Sequence, residues 1–182
     1  MSANLKISAA LVAVFVVGLA IFCVVRTQGD DDPAAATASV VREDSHRLST
    51  AEDGRVTFVV RYFPVPSHFN AERAARAVEA AAQQGRFEDM YDRMYETQPE
   101  WGEKQESQAA VFRGFAEEMG LDMAAYDAAV EAPETLARVL RDREDGIALG
   151  VEGTPTFFLN GEIIQQSSPD EFRAMIDDAL AE

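Results

Sequence analysis

The sequence predicts an α/β domain of α+β-like organisation, preceded by an N-terminal transmembrane helix. Three observations lead to this class: a β-branched and aromatic run at Arg55–Phe63, several helical segments over about 70–149, and a hairpin signal at Asn160-Gly161. The predicted division is a membrane anchor over residues 1–26, a polar linker and lead-in over 27–54, and a folded domain over 55–182.

The anchor is predicted from Ile7–Val25, an almost unbroken apolar run. As a helix it would span about 28 Å, close to the hydrocarbon thickness of a bilayer. An uncleaved anchor is favoured over a secretory signal peptide, whose apolar core is usually shorter. Lys6 precedes the run and Asp30–Asp32 follow it, which favours the amino terminus inside. We therefore expect a single-pass cell-membrane protein with an extracytoplasmic C-terminal domain.

Composition excludes several classes of function. The net charge of −16 opposes binding of nucleic acid through a basic face. The single cysteine, Cys23, cannot form an intramolecular disulfide, a Cys-x-x-Cys pair or a cysteine-based zinc site, and is expected to face lipid or a neighbouring helix. His46 is expected at the surface and His68 in a loop, each without a partner at ligand spacing. No cofactor, metal or catalytic residue is therefore predicted.

The folded part opens with the strand Arg55–Phe63, which Pro64 and Pro66 end. Asn70 is a good N-cap for the helix that follows. The predicted helices are an alanine-rich one over Ala71–Gln84, one with the stripe Phe87, Met90, Tyr91, Met94 and Tyr95, one ending at Gly120, one over Met123–Glu131 capped by Asp122, one from Pro133 to Gly150, and a last one capped by Ser168.

The stretch Gly150–Gly161 ends a helix, makes a turn and enters the short strand Thr156–Leu159. Pro155 is expected at the first position of this strand, where a missing N–H does little harm. Asn160-Gly161 predicts a type I′ turn into the strand Glu162–Ile164. The stretch therefore predicts a helix end, a tight turn and a hairpin.

The series Gly-Val-x-Gly-Thr-Pro-Thr-Phe-Phe, followed by Asn-Gly, resembles the cis-proline loop of the DsbA-like thiol-disulfide oxidoreductases, which have a thioredoxin fold. The resemblance extends over about Arg55–Leu180 and includes Phe63-Pro64-Val65-Pro66-Ser67-His68 and Gln84-Gly85-Arg86-Phe87. It implies a thioredoxin-like fold with a helical insertion over about 70–149. It also implies a cis peptide at Thr154-Pro155 and extended polypeptide substrates, bound by these two residues through strand addition.

Members of that family carry a further strand and helix before the strand equivalent to Arg55–Phe63, and the Cys-x-x-Cys dithiol opens that helix. Between Val41 and Gly54 there is no room for such a unit. The resemblance implies that the missing strand is the central one of the sheet. The strands on either side must then pair directly, recruit another strand such as Val40-Val41, or stay apart, and we expect a domain of marginal stability.

Three functions are compatible with the sequence. The first is an extracytoplasmic DsbA-like protein that is redox-inactive because the dithiol is absent. The alternative is a non-catalytic peptide-binding or chaperone-like module that uses Thr154 and Pro155. A different enzyme has little support, since no serine–histidine–acid, paired-carboxylate or phosphate-loop spacing is present. The expected partners are extended polypeptides and, through Ile7–Val25, a membrane.

Overall fold

A five-stranded sheet and six helices make up the part of the chain that the computed structural model describes, residues 21–27, 45–48, 55–165 and 168–181. The strands are β1 Ile21–Thr27, β2 His46–Leu48, β3 Val56–Tyr62, β4 Thr156–Leu159 and β5 Glu162–Ile164. The helices are α1 Ala71–Ala82, α2 Phe87–Trp101, α3 Ala109–Glu118, α4 Met123–Glu131, α5 Pro133–Ala148 and α6 Pro169–Ala179.

Strand β1 fills the centre of the sheet, whose order is β2-β3-β1-β4-β5. It pairs with β3 on one side and with β4 on the other. The gap expected between β3 and β4 is therefore closed by a recruited strand, and the recruited residues are Ile21–Thr27. Val40-Val41, suggested for this role by the sequence, lie outside the described residues.

The direction of β1 differs from what a strand, crossover helix and strand would produce. Such a unit makes two parallel strands. Here β1 is antiparallel to β3, from the pair Ile21–Tyr62 to the pair Thr27–Val56, and parallel to β4. The recruited strand therefore occupies the central position with the opposite polarity.

This strand corrects the prediction of a membrane helix over Ile7–Val25 at its C-terminal end. Ile21–Val25 belong to β1, whereas residues 7–20 lie outside the described residues. The reason is that a β-branched, apolar sequence suits a strand buried in a sheet as well as it suits a membrane. Pairing it also satisfies backbone groups that β3 and β4 would otherwise leave open. None of the helices described is long and apolar enough to cross a bilayer.

The two faces of the sheet carry separate apolar clusters because side chains alternate along β3. Phe58, Val60 and Tyr62 belong to the main core, which also contains the alanines of α1 and the aromatic and methionine stripe of α2. Val59 and Phe63 belong to a smaller cluster. Its other buried members are Val151 and Phe158, which lie on either side of the Thr154-Pro155 loop.

Two predicted helix caps are confirmed and one is not. Asp122 Oδ1 accepts hydrogen bonds from the amides of Ala124 and Ala125, and Ser168 Oγ accepts one from the amide of Glu171. Asn70 makes no side-chain cap on α1. Its side chain instead binds the segment before α3, where it donates to the carbonyls of residues 104 and 106 and accepts from the amide of residue 108.

Proline at position 24 tests the central strand. Val24 lies opposite Val59 on one side and Phe158 on the other. Val24→Pro removes an N–H from a strand with neighbours on both edges, so we expect the free energy of unfolding of the full chain to fall by at least about 2 kcal/mol. Urea titration followed by circular dichroism measures the loss. Val24→Thr, which keeps the N–H and the branched shape, is the control, and equal stability of the two variants would contradict a strand here.

Candidate functional site

The Thr154-Pro155 loop joins helix α5 to strand β4. Its peptide bond is cis, in agreement with the expectation from the family resemblance. Thr154 and Pro155 are exposed, whereas Val151 before them and Phe157 after them are buried. Thr156 Oγ1 also donates a hydrogen bond of 2.7 Å to the carbonyl of Gly153. The loop is thus held at both ends and presents its middle to solvent, where a ligand can reach it.

A Schellman motif ends helix α5 and directs the chain into the loop. The amide of Val151 donates to the carbonyl of Gly146 at 2.9 Å, and the amide of Gly150 donates to that of Ile147 at 3.1 Å. Gly150 has φ +85°, a left-handed conformation that other residues adopt only at a cost. The predicted helix end at Gly150 is therefore confirmed, and the position of α5 determines where the loop begins.

A buried ionic network fixes α5 against the end of β3. Arg61 Nε donates to Asp142 Oδ1 at 2.6 Å, and the side chains of both residues are fully buried. The other Asp142 oxygen lies 2.6 Å from Arg138 Nη1 and accepts a hydrogen bond from the amide of Tyr62 at 3.1 Å. Asp145 Oδ2 lies 2.5 Å from Arg61 Nη2. Two arginines and two aspartates thus balance their charges between one strand and one helix.

This network is not among the features predicted from the sequence, although the sequence contains a signal for it. Arg61 interrupts the apolar strand β3, and a charge in a buried strand needs a partner. Arg138 and Asp142 are four residues apart on α5 and so lie on one helical face. The sequence thus indicates a buried pair without showing which helix supplies it.

His46, expected at the surface, is instead half-buried beside helix α1. Its Nε2 lies 2.6 Å from Glu79 Oε2, and its ring stacks on Phe87 with 4.2 Å between the centroids. These two contacts explain why His46 is half-buried. Glu79 provides a hydrogen-bond partner for the ring nitrogen, and Phe87 packs against the face of the ring. Burial, and then the Glu79 carboxylate, hold the pKa of the Tyr62 phenol nearby well above its ordinary value. Neither Thr154 nor Pro155 takes part in these contacts.

The remaining predicted residues are not brought to the loop. His68 lies in the loop after β3, as expected, with Nδ1 3.8 Å from Glu103 Oε1. Cys23, expected to face lipid or a neighbouring helix, lies in β1 with its backbone opposite Val60 and Phe157. Over the described ranges, no group of three His, Cys, Asp or Glu residues is arranged to hold a metal ion.

Removing the charge of Asp142 tests the network. Asp142→Asn leaves two buried arginines with less compensation, so we expect the free energy of unfolding to fall by about 3 kcal/mol. Asp145→Asn is the matched control, because this carboxylate is partly exposed, and a loss of about 1 kcal/mol is expected. Denaturant titration of both variants gives the comparison, and equal losses would show that Asp142 has no special role.

Comparison with known proteins agrees with this fold. A family model described as Thioredoxin matches residues 40–178. No solved structure matches the chain significantly.

Similar curated proteins are much longer than this chain. The protein named Na(+)/H(+) antiporter NhaA from Herminiimonas arsenicoxydans is 36% identical over 124 residues, which are 68% of this chain and 18% of that protein. NhaA 1 from Mycolicibacterium vanbaalenii is 35% identical over 124 residues, 65% of this chain and 18% of that protein. NhaA 3 from Salinispora tropica is 34% identical over 107 residues, 58% and 16% respectively. The chain thus spans less than a fifth of the length of these relatives, whereas the family match covers most of its own folded part. The chain therefore belongs to the thioredoxin family and has a thioredoxin-like fold.

Proposed function

We propose that the chain is a DsbA-like thioredoxin-fold protein that binds extended polypeptides at the Thr154-Pro155 loop without exchanging disulfides itself. The observation that carries this proposal is the exposure of these two residues on a loop whose ends are buried. A rigid loop loses little conformational entropy when a ligand binds, which favours affinity.

The proposed binding mode is strand addition. Thr154 directly precedes Pro155 and strand β4. In this proposal its backbone N–H and C=O continue the hydrogen-bonding pattern of a sheet towards an extended ligand. Main-chain hydrogen bonds of this kind are independent of ligand sequence. The proposal therefore includes a chaperone-like or peptide-binding role with broad specificity.

Redox catalysis by this polypeptide is not part of the proposal. Dithiol exchange needs one thiolate to attack and a second thiol to resolve the mixed disulfide. The chain has one cysteine, Cys23, and its backbone lies in the middle of the sheet. A protein-disulfide oxidoreductase built on this domain would need thiols from another polypeptide.

Redox turnover is expected to be absent. Insulin reduction by dithiothreitol and oxidation of a reduced two-cysteine peptide should proceed no faster with the full chain than with buffer, because one thiol cannot complete the cycle. Cys23→Ser is the control and should behave identically. Turnover by the parent chain that Cys23→Ser abolishes would contradict the proposal.

Binding at the loop is tested with Pro155→Ala. The proline ring restricts the backbone beside Thr154 and offers an apolar surface, so its loss should weaken binding of a fluorescein-labelled unfolded peptide about tenfold. Pro169→Ala, at an exposed proline that opens α6, is the matched control and should leave the Kd unchanged. Thermal melting establishes that both variants fold. Equal affinities of the parent and Pro155→Ala would exclude the loop as the binding site.

We further propose that the domain works at a membrane, on the extracytoplasmic side. Two observations support the association with a membrane: the apolar residues that precede β1 in the sequence, and relatives named as antiporters. The proposed side rests on Lys6 before the apolar run and Asp30–Asp32 after it. Ion transport belongs, in this proposal, to the four fifths of those relatives that the chain does not cover. Ile21–Val25 cannot be part of a helical anchor and of strand β1 at the same time. The stability of Val24→Pro therefore tests whether these residues belong to the sheet.

A further inference from the structure

A groove on the helical side of the molecule is separate from the Thr154-Pro155 loop. It lies between the segment Pro64–Phe69 and helices α1, α3, α4 and α5, and its volume is about 1050 Å³. Ligand pockets in proteins typically measure about 300–1,000 Å³, so the groove is large enough for several residues of a peptide. Neither Thr154 nor Pro155 lines it.

Apolar side chains form part of the groove wall. Phe69 stands at its edge with 43% of its surface exposed, and Val65, Phe112 and Leu140 line it further in. An exposed phenylalanine beside an open apolar wall provides area that a ligand can cover. The groove therefore has the hydrophobic component that a binding site needs.

Four arginines also line the groove, which is unexpected in a chain of net charge −16. Two of them are occupied: Arg113 binds both oxygens of Asp127, and Arg76 lies 3.2 Å from Glu72. The other two face no carboxylate within ion-pair distance among the described residues.

These two arginines are Arg73 and Arg143. Arg73 donates to the carbonyl of Phe69 and covers the ring of that residue. The guanidinium of Arg143 lies 6.0 Å from the centre of the Phe63 ring, and its Nε is buried without a hydrogen-bond partner in the described structure. Arg73 is exposed, whereas Arg143 is half-buried. A half-buried cation without a counter-ion among the described residues is costly, and an anionic ligand at Arg143 would relieve that cost.

We propose that this groove binds an acidic, partly apolar polypeptide segment. Its carboxylates pair with Arg143 and Arg73, and its apolar side chains cover Phe69 and Val65. The carboxylates of Glu72, Asp127 and Glu131 also line the groove and can accept hydrogen bonds from the backbone amides of a peptide. A fatty acid has no donors for these groups, so a peptide is the better match.

Two further features support this assignment. Tyr126 lines the groove, and its phenol, which is protonated at neutral pH, can donate a hydrogen bond to a carboxylate. Burial, with a contribution from the Asp127 carboxylate, raises its pKa further, to about 12. Val65 also packs on the cluster that contains Val151, three residues before Thr154. The groove wall and the loop thus share one rigid support.

The experiment measures fluorescence anisotropy of a labelled nonapeptide with a central Leu-Asp-Phe-Glu-Leu sequence, added to the full chain. The same peptide with Asn and Gln in place of Asp and Glu is the neutral probe, and dodecanoate is tested as a competitor. We expect the acidic peptide to bind more tightly than the neutral one, and Arg143→Gln to weaken it about tenfold. Arg173→Gln, at an arginine of α6 paired with Asp170, should have no effect.

A charge exchange at Ala110 separates binding from stability. Ala110 is exposed, lines the groove and lies in the first turn of α3. Ala110→Glu should weaken the acidic peptide about threefold and Ala110→Lys should strengthen it to a similar extent. The helix dipole has the opposite effect on stability, because it favours Glu and disfavours Lys at this end. If affinity only followed stability, Ala110→Glu would therefore bind the acidic peptide more tightly than Ala110→Lys, which is the reverse of the expected result.

Several outcomes would overturn the proposal: equal affinity for the acidic and neutral peptides, equal effects of Arg143→Gln and Arg173→Gln, or saturable binding of dodecanoate by a chain that does not bind the peptide. Pro155→Ala should leave the acidic peptide's affinity unchanged. This last variant distinguishes the groove from the loop, so that binding at one site can be disproved without disproving binding at the other.

Discussion

The ion pairs between Arg61 and Asp142 determine how the helical insertion is attached to the sheet. Both side chains are fully buried, so neither charge can exchange its partner for water. Such a pair contributes little net stability compared with apolar packing, but it admits few other arrangements. Because Asp142 also binds the backbone of β3, it sets the position of α5 along that strand. The start of the Thr154-Pro155 loop follows from this position, since the Schellman motif that ends α5 places Gly150 four residues before Thr154.

The sheet is organised by the need to fill one position. Strands β3 and β4 each have one edge that faces the gap between them, and the backbone groups of that edge need a partner. The seven-residue strand β1 lies in the gap and pairs with both edges. The described part of the chain therefore has a central strand, although its direction differs from that of the strand that the family resemblance implies. What β1 supplies is backbone pairing for both of its neighbours.

Local signals predicted most of the domain from Val56 onward. The caps at Asp122 and Ser168 and the hairpin at Asn160-Gly161, whose φ angles of 50° and 92° fit a type I′ turn, depend on nearby residues and were confirmed. The failures concern long-range choices. An apolar run alone does not indicate whether it is buried in lipid or in a sheet. Asn70 and His46 form hydrogen bonds with residues 34 and 33 positions away in the sequence, and no local pattern specifies contacts at that separation.

The antiparallel direction of β1 has a consequence for how the molecule faces its surroundings. Its first residues lie opposite Tyr62 and Thr156, at the end of the sheet where β4 starts, directly after Pro155. The first residues of β1 and the Thr154-Pro155 loop therefore lie at the same end of the sheet. Whatever holds this end of β1 would therefore also determine where the loop stands relative to its surroundings.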